Sequence, residues 1–199
     1  MKQPMLRTAS LVSLTALCLL GVLGAARVVG AAQEDRIQVS TMGYRVPDVT
    51  LVRQDGTPVS LTVEMNDGRP VVLNFIFTSC ASICPVMSQI FAEFQRKLGP
   101  DSAKLHLMSI SIDPEQDTPS RLREYAKRFN AAPGWTYYTG TPAASVAAQK
   151  AFNVYLGDKM SHTAVTFMRP APGAPWRRLD GFATPEDLLQ QYRALLASR

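Results

Sequence analysis

The chain has 199 residues, 46% of them hydrophobic and 19% charged, which describes an ordinary globular protein of one domain plus a short extension. Its formal charge of +5 is concentrated at the start, where Lys2, Arg7 and Arg27 precede the first acid, Glu34; the remainder is close to neutral, and no nucleic-acid partner is expected. Cysteine is used three times only, so where the cysteines fall is informative.

Behind Lys2 and Arg7, residues 8–26 form an uncharged apolar run, long for a signal-peptide core and sufficient for a membrane span. Residues 1–32 are therefore read as a signal sequence or N-terminal membrane anchor, with Gly24-Ala25-Ala26 and Gly30-Ala31-Ala32 offering small-residue cleavage sites. The positive flank holds the N-terminus in the cytoplasm and puts the folded part in the bacterial periplasm, at the inner membrane if the segment stays uncut. Cys18 lies inside the run and follows the large Leu17, a poor fit to lipoprotein processing, and is read as a bystander. Residues 33–45 are polar and mixed, a tether; residues 46–199 are the domain.

Within the domain, Val49 to Leu51 and Val59 to Val63 flank Asp55-Gly56, which signals a β-hairpin. The run from Val71 to Phe77 is β-branched, aromatic and almost wholly apolar, as a strand buried on both faces should be. Thr78 and Ser79 follow it, and then Met87, Ile90, Phe91, Phe94 and Leu98 recur at helical spacing before Gly99-Pro100. Residues 105–112 alternate into a second strand that stops at Asp113-Pro114; strand, helix, strand in this order implies a parallel pair with a right-handed crossover. Thr118-Pro119 opens a helix that runs to about Asn130, residues 135–139 read as a short strand, and residues 143–152 as a weakly amphipathic helix. Residues 163–168 read as another strand with an antiparallel partner over 176–179, and Thr184-Pro185 starts the last helix. The order β-α-β-α-β-β-α, with a dithiol after the first central strand, predicts an α/β, thioredoxin-like fold with an N-terminal β-hairpin extension.

Cys80 and Cys84 sit at the turn from the first central strand into its helix. Four residues apart at a helix start, their Cβ atoms are about 5–6 Å apart on one face. Both thiols can reach one metal ion or each other, and a helix N-terminus favours the thiolate that either chemistry needs. The plain alternative is two small core residues that lie close. Of the two histidines, His106 lies within an alternating strand and is expected at the surface or rim. His162 immediately precedes a strand, in a loop on the same sheet edge as the cysteines, where thioredoxin-like folds usually carry a cis-proline that Met160-Ser161-His162-Thr163 lacks. Two thiolates and an imidazole make a soft site suited to Cu(I) and able to hold Cu(II) or Zn(II); a solvated loop histidine is the structural alternative. Asp113, Glu115 and Asp117 follow the second central strand. They can bias the charge of the site or meet a basic partner, or simply end a strand and help start a helix.

Three motifs now stand in order: residues 75–87 around Cys80 and Cys84, Ser111-Ile112-Asp113-Pro114-Glu115-Gln116-Asp117-Thr118-Pro119, and His162 before a strand. Together they resemble the Sco/SenC family. The resemblance implies a membrane-tethered, periplasmic copper metallochaperone that helps assemble the binuclear copper centre of cytochrome c oxidase. It implies Cys80, Cys84 and His162 as copper ligands, Cys80 and Cys84 as a redox-active pair, and as partners the oxidase's subunit II or another copper chaperone, with a thiol reductant. Many members carry an aspartate before the histidine; Ser161 stands here, a departure that bears on the tuning of the imidazole rather than on ligation. The alternative is a thiol-disulfide oxidoreductase or redox sensor acting through Cys80 and Cys84, whose spacing permits a disulfide. A peroxidase fits less well, because Phe77 occupies the place of the threonine that its pattern wants.

Overall fold

The computed structural model describes residues 37–198. The apolar run, Cys18, the candidate cleavage sites and the first part of the tether lie outside them. Among the described residues, no helix is long and apolar enough to cross a membrane.

Among the described residues, eight strands form one sheet. In chain order they are β1 (Gln38–Met42), β2 (Thr50–Arg53), β3 (Pro58–Ser60), β4 (Val71–Ile76), β5 (His106–Ser111), β6 (Trp135–Gly140), β7 (Val165–Arg169) and β8 (Trp176–Asp180). Their spatial order is β1-β8-β7-β4-β5-β6-β2-β3. β4, β5 and β6 are mutually parallel, and every other pairing is antiparallel. Among the described residues there are five α-helices: α1 (Leu61–Met65), α2 (Ile83–Leu98), α3 (Pro119–Arg128), α4 (Pro142–Ala151) and α5 (Pro185–Ala197).

All six residues of β4 are buried, because the strand is central and both faces are covered. Val72 and Ile76 join Phe91, Phe94, Leu122 and Leu188 in one core, under α2, α3 and α5. Val71, Leu73 and Phe75 join Met108, Phe152 and Trp176 in the other, under α1 and α4. α2 and α5 pack side by side, with Phe94 and Tyr192 edge to face at 5.9 Å. The helices α3, α4 and α5 share one entry: a threonine (Thr118, Thr141, Thr184) whose hydroxyl accepts a backbone N–H three residues on, followed by a proline at the first helical position.

Two expectations change. Gln38–Met42, read as tether, is a strand, exposed along its length but paired residue by residue with β8 from Gln38–Asp180 to Met42–Trp176. Its polar composition conceals it, because one edge position needs no apolar face. The hairpin's second arm is also shorter than expected. Ser60 caps α1 by accepting from Val63 N–H, so the chain turns helical at Leu61 instead of continuing as a strand to Val63. The hairpin β2–β3 extends the sheet: β2 pairs with β6, and β3 lies at the far edge.

Candidate metal centre

The ends of β4 and β5 and the start of β7 share one sheet edge, and the chemistry gathers there. After Ile76 the chain leaves β4 and turns over residues 77–82. Thr78 fixes that turn: its N–H and its hydroxyl both donate to the Asp117 carboxylate, at 3.1 and 2.5 Å. Asp117, fully buried, also accepts from Ser111 Oγ at 2.6 Å, so the cysteine loop is bolted to the end of β5. Cys80 N–H then donates to Phe77 O at 3.2 Å.

The N-cap of α2 is Ser82, whose side chain makes no capping bond. Cys80 supplies the cap instead, its Sγ accepting from Cys84 N–H at 3.4 Å, while Pro85 in the first turn has no N–H to satisfy. Burial raises the Cys80 thiol, but the N–H groups of Cys84 and Ser82 outweigh it and hold Cys80 below the ordinary thiol range. Cys84 is the opposite case. It is 1% exposed, and burial pushes its thiol strongly upward despite a contact from Phe77 N–H at 3.5 Å, with the charges of Cys80 and Asp117 adding to the rise. Both cysteines are free, Cys80 partly exposed with its pKa lowered and Cys84 buried with its pKa raised.

His162 ends a short 3-10 turn, Lys159–Ser161, and is 8% exposed. Its Nε2 lies 3.0 Å from Phe75 O in β4. A carbonyl only accepts, so Nε2 carries the proton and Nδ1 keeps its lone pair. Burial lowers the imidazole's pKa against the pull of the Phe75 carbonyl, leaving the ring neutral at pH 7. Phe77 stands between histidine and cysteines, its ring 6.5 Å from the imidazole and edge-on at 73°, its main chain bonded to both cysteines. A cleft of about 330 Å³ opens beside His162, lined by Asp113, Gln149, Tyr155, Leu156 and Lys159 among others.

The structure thus brings Cys80 and Cys84 together and sets His162 on the same edge. Among the described residues it does not close them into a preformed group of three metal-binding side chains. The donor types fit a soft metal ion: an ionisable sulfur, a second sulfur one turn away, and a neutral imidazole with an available nitrogen.

His106 is not at the rim. It is 2% exposed at the start of β5, the opposite sheet edge, with Nε2 2.8 Å from Tyr138 Oη and Nδ1 3.1 Å from Glu64 O. The outward phase of its strand faces α1, not water. Asp117 does bear on the charge of the site, through the Cys84 thiol, but the cap of α3 is Thr118. Asp117 holds Thr78, and Asp113 binds Lys159 Nζ at 2.7 Å. The sequence reading names Thr78, Phe77 and Ser111 without their supporting roles, and it offers no signal for Lys159.

The SCO1/SenC family profile matches residues 41–197. The SCO1 protein homolog of Bacillus subtilis is 35% identical over 100 residues, a match covering 50% of this chain and 51% of that protein, so the chain spans about half the length of that relative. The solved structure of Bradyrhizobium japonicum ScoI with copper bound superposes with a TM-score of 0.64 at 25% identity, covering 79% of this chain and 100% of the other. BsSco, in which a disulfide switch was identified, superposes with a TM-score of 0.66 at 24% identity, covering 80% of this chain and 98% of the other. The thioredoxin-like fold, the dithiol at the end of its central strand and a family match that runs almost from β1 to the end of α5 agree: this chain belongs to the SCO1/SenC family.

Proposed function

We propose that this chain is a copper metallochaperone for the binuclear centre of cytochrome c oxidase, with Cys80, Cys84 and His162 as the copper ligands. The observation that carries this reading is the meeting on one sheet edge of an ionisable Cys80, a neighbouring Cys84 and an imidazole whose Nδ1 lone pair is available. Phe75 O, holding Nε2–H, orients the ring as outer partners of metal-binding histidines do. The site lies at the rim of the sheet, and Val86, Leu156, Met160 and Phe182 expose apolar surface along this edge, where a recipient can approach. Cys80, Cys84 and His162 leave a bound ion open to an incoming thiolate of subunit II or of another copper chaperone. Residues 1–32 act as signal or anchor, so the domain works in the periplasm at the inner membrane.

A second reading, a thiol-disulfide oxidoreductase or redox sensor, is favoured by the same asymmetry of an ionisable Cys80 and a buried Cys84. Anaerobic titration of the reduced protein with Cu(I) and with Cu(II) separates the two. Copper binding that needs both cysteines, with Cu(II) weakened most by His162→Ala, is expected of the carrier. A reduced protein that exchanges disulfides but takes up no copper refutes it.

A further inference from the structure

The loop that brings His162 to the sheet edge is lightly fastened. Between residues 155 and 163, two hydrogen-bonding contacts reach another element among the described residues, His162 Nε2–H to Phe75 O and Lys159 Nζ to Asp113 Oδ2 at 2.7 Å, and Lys150 of α4 stands 5.1 Å over the ring of Tyr155. The remaining hydrogen bonds of this stretch stay inside it, from Met160, Ser161 and His162 N–H to Asp158 and Lys159. Apolar packing does not replace them, since Leu156 is 55% and Met160 73% exposed. Lys159 also stands 5.8 Å over the ring of Phe77, the ring whose edge meets the imidazole.

Asp113 is no isolated surface acid. It is buried, its N–H donates to Ser111 Oγ at 3.0 Å, and Ser111 Oγ donates in turn to Asp117. Asp117 holds Thr78. A continuous polar chain, Lys159–Asp113–Ser111–Asp117–Thr78, therefore runs from the histidine loop, across the end of β5, to the cysteine loop.

We propose that Lys159 and Asp113 are positioning residues of the metal centre: their ion pair sets the histidine loop in register with the cysteine loop, so that His162 can close on Cys80 and Cys84. Neither residue ligates, and the assignment rests on the ligand reading given above. The pair's value is geometric, because an ion pair with a partly exposed lysine adds little to global stability.

The test uses the full-length reduced protein with Lys159→Met, Lys159→Arg, Asp113→Asn and His162→Ala measured side by side. The readouts are Cu(II) affinity, nitrogen coupling in the Cu(II) EPR spectrum, Cu(I) stoichiometry and thermal midpoint. Loss of an outer partner costs a metal site about 10–100-fold in affinity. Lys159→Met and Asp113→Asn should therefore weaken Cu(II) by that factor and diminish the nitrogen coupling, while Cu(I) uptake through the two sulfurs persists. Lys159→Arg, which keeps the charge and can reach Asp113, should recover the wild-type signal. Wild-type Cu(II) affinity and coupling in Lys159→Met overturns the assignment. Unchanged copper binding in His162→Ala overturns the ligand reading beneath it, and the two failures differ in which variant is silent. Should Asp113→Asn fail to fold, the half-exposed Lys159 carries the test alone, with Lys159→Gln as its second substitution.

Discussion

Removing the Asp117 carboxylate should destabilise the domain far more than its place in a loop implies. Three donors converge on it: Thr78 N–H, shared between the two oxygens at 3.2 and 3.1 Å, Thr78 Oγ1 at 2.5 Å and Ser111 Oγ at 2.6 Å. Asp117 and Ser111 are essentially without solvent exposure, so water cannot replace the lost acceptor without entering the structure. The two hydroxyls can turn toward other acceptors, but the Thr78 N–H cannot. A hydrogen bond to a charged group contributes about 1.5–3 kcal/mol and an orphaned buried donor costs about 1–3 kcal/mol, which puts Asp117→Ala at about 3–5 kcal/mol once the mobility of the hydroxyls is allowed for. Asp117→Asn keeps the volume and one acceptor oxygen and should cost about half of that. Urea unfolding followed by far-ultraviolet circular dichroism reads both variants as a shift in midpoint at unchanged slope. An Asp117→Ala protein within about 1 kcal/mol of wild type would refute the claim that this carboxylate fastens the cysteine loop to β5.

Stability should fall on acidification through two buried histidines. Burial lowers the pKa of both His106 and His162 from 6.5, so the unfolded chain binds their protons first; the stability they contribute is complete above about pH 6.5 and lost as pH falls below it. His106→Asn and His162→Gln should each flatten the urea midpoint between pH 7 and pH 5, and a wild-type midpoint that rises over that range contradicts the assignment. Iodoacetamide at pH 7 should modify Cys80 first, with Cys84 slower by about tenfold or more, as peptide mass mapping after brief exposure would reveal; equal rates would mean that the buried thiol opens readily. Oxidation to the Cys80–Cys84 disulfide releases two protons and two electrons to an added oxidant such as a soluble disulfide, and should abolish copper uptake until a thiol reductant restores it; undiminished uptake by the oxidised protein would remove the sulfurs from the ligand set.

Most of the fold was legible because periodicity and punctuation agree. The almost wholly apolar run ending in Phe77, the alternation from Leu105 to Ile112 and the Thr-Pro starts at Thr118 and Thr184 each have one reading, and each element formed where read. The misses share a cause. Gln38–Met42 and His106 are settled by what lies beside them, β8 in one case and α1 with Tyr138 in the other, and a local window carries neither. The two thiols at a helix start were legible from spacing. That Cys80 caps the helix while Cys84 is sealed under Phe77 depends on the path of residues 77–82, which spacing does not specify. The tie from Lys159 to Asp113 spans 46 residues and had no local trace.

The end of β4 shows how pairing decides chemistry. Ile76 O accepts from Ile112 N–H on the β5 side, so the carbonyl of Phe75, one residue earlier, faces the β7 side. The ladder between β4 and β7 ends at Asn74–Thr166, one pair short of Phe75–Val165, and the imidazole of His162 takes the acceptor that this next pair would have used. The length of the ladder thereby selects the tautomer. Had the β4–β7 pairing run one pair further, to Phe75–Val165, the main chain would have claimed that oxygen, and the proton on His162 would have been free to sit on either nitrogen.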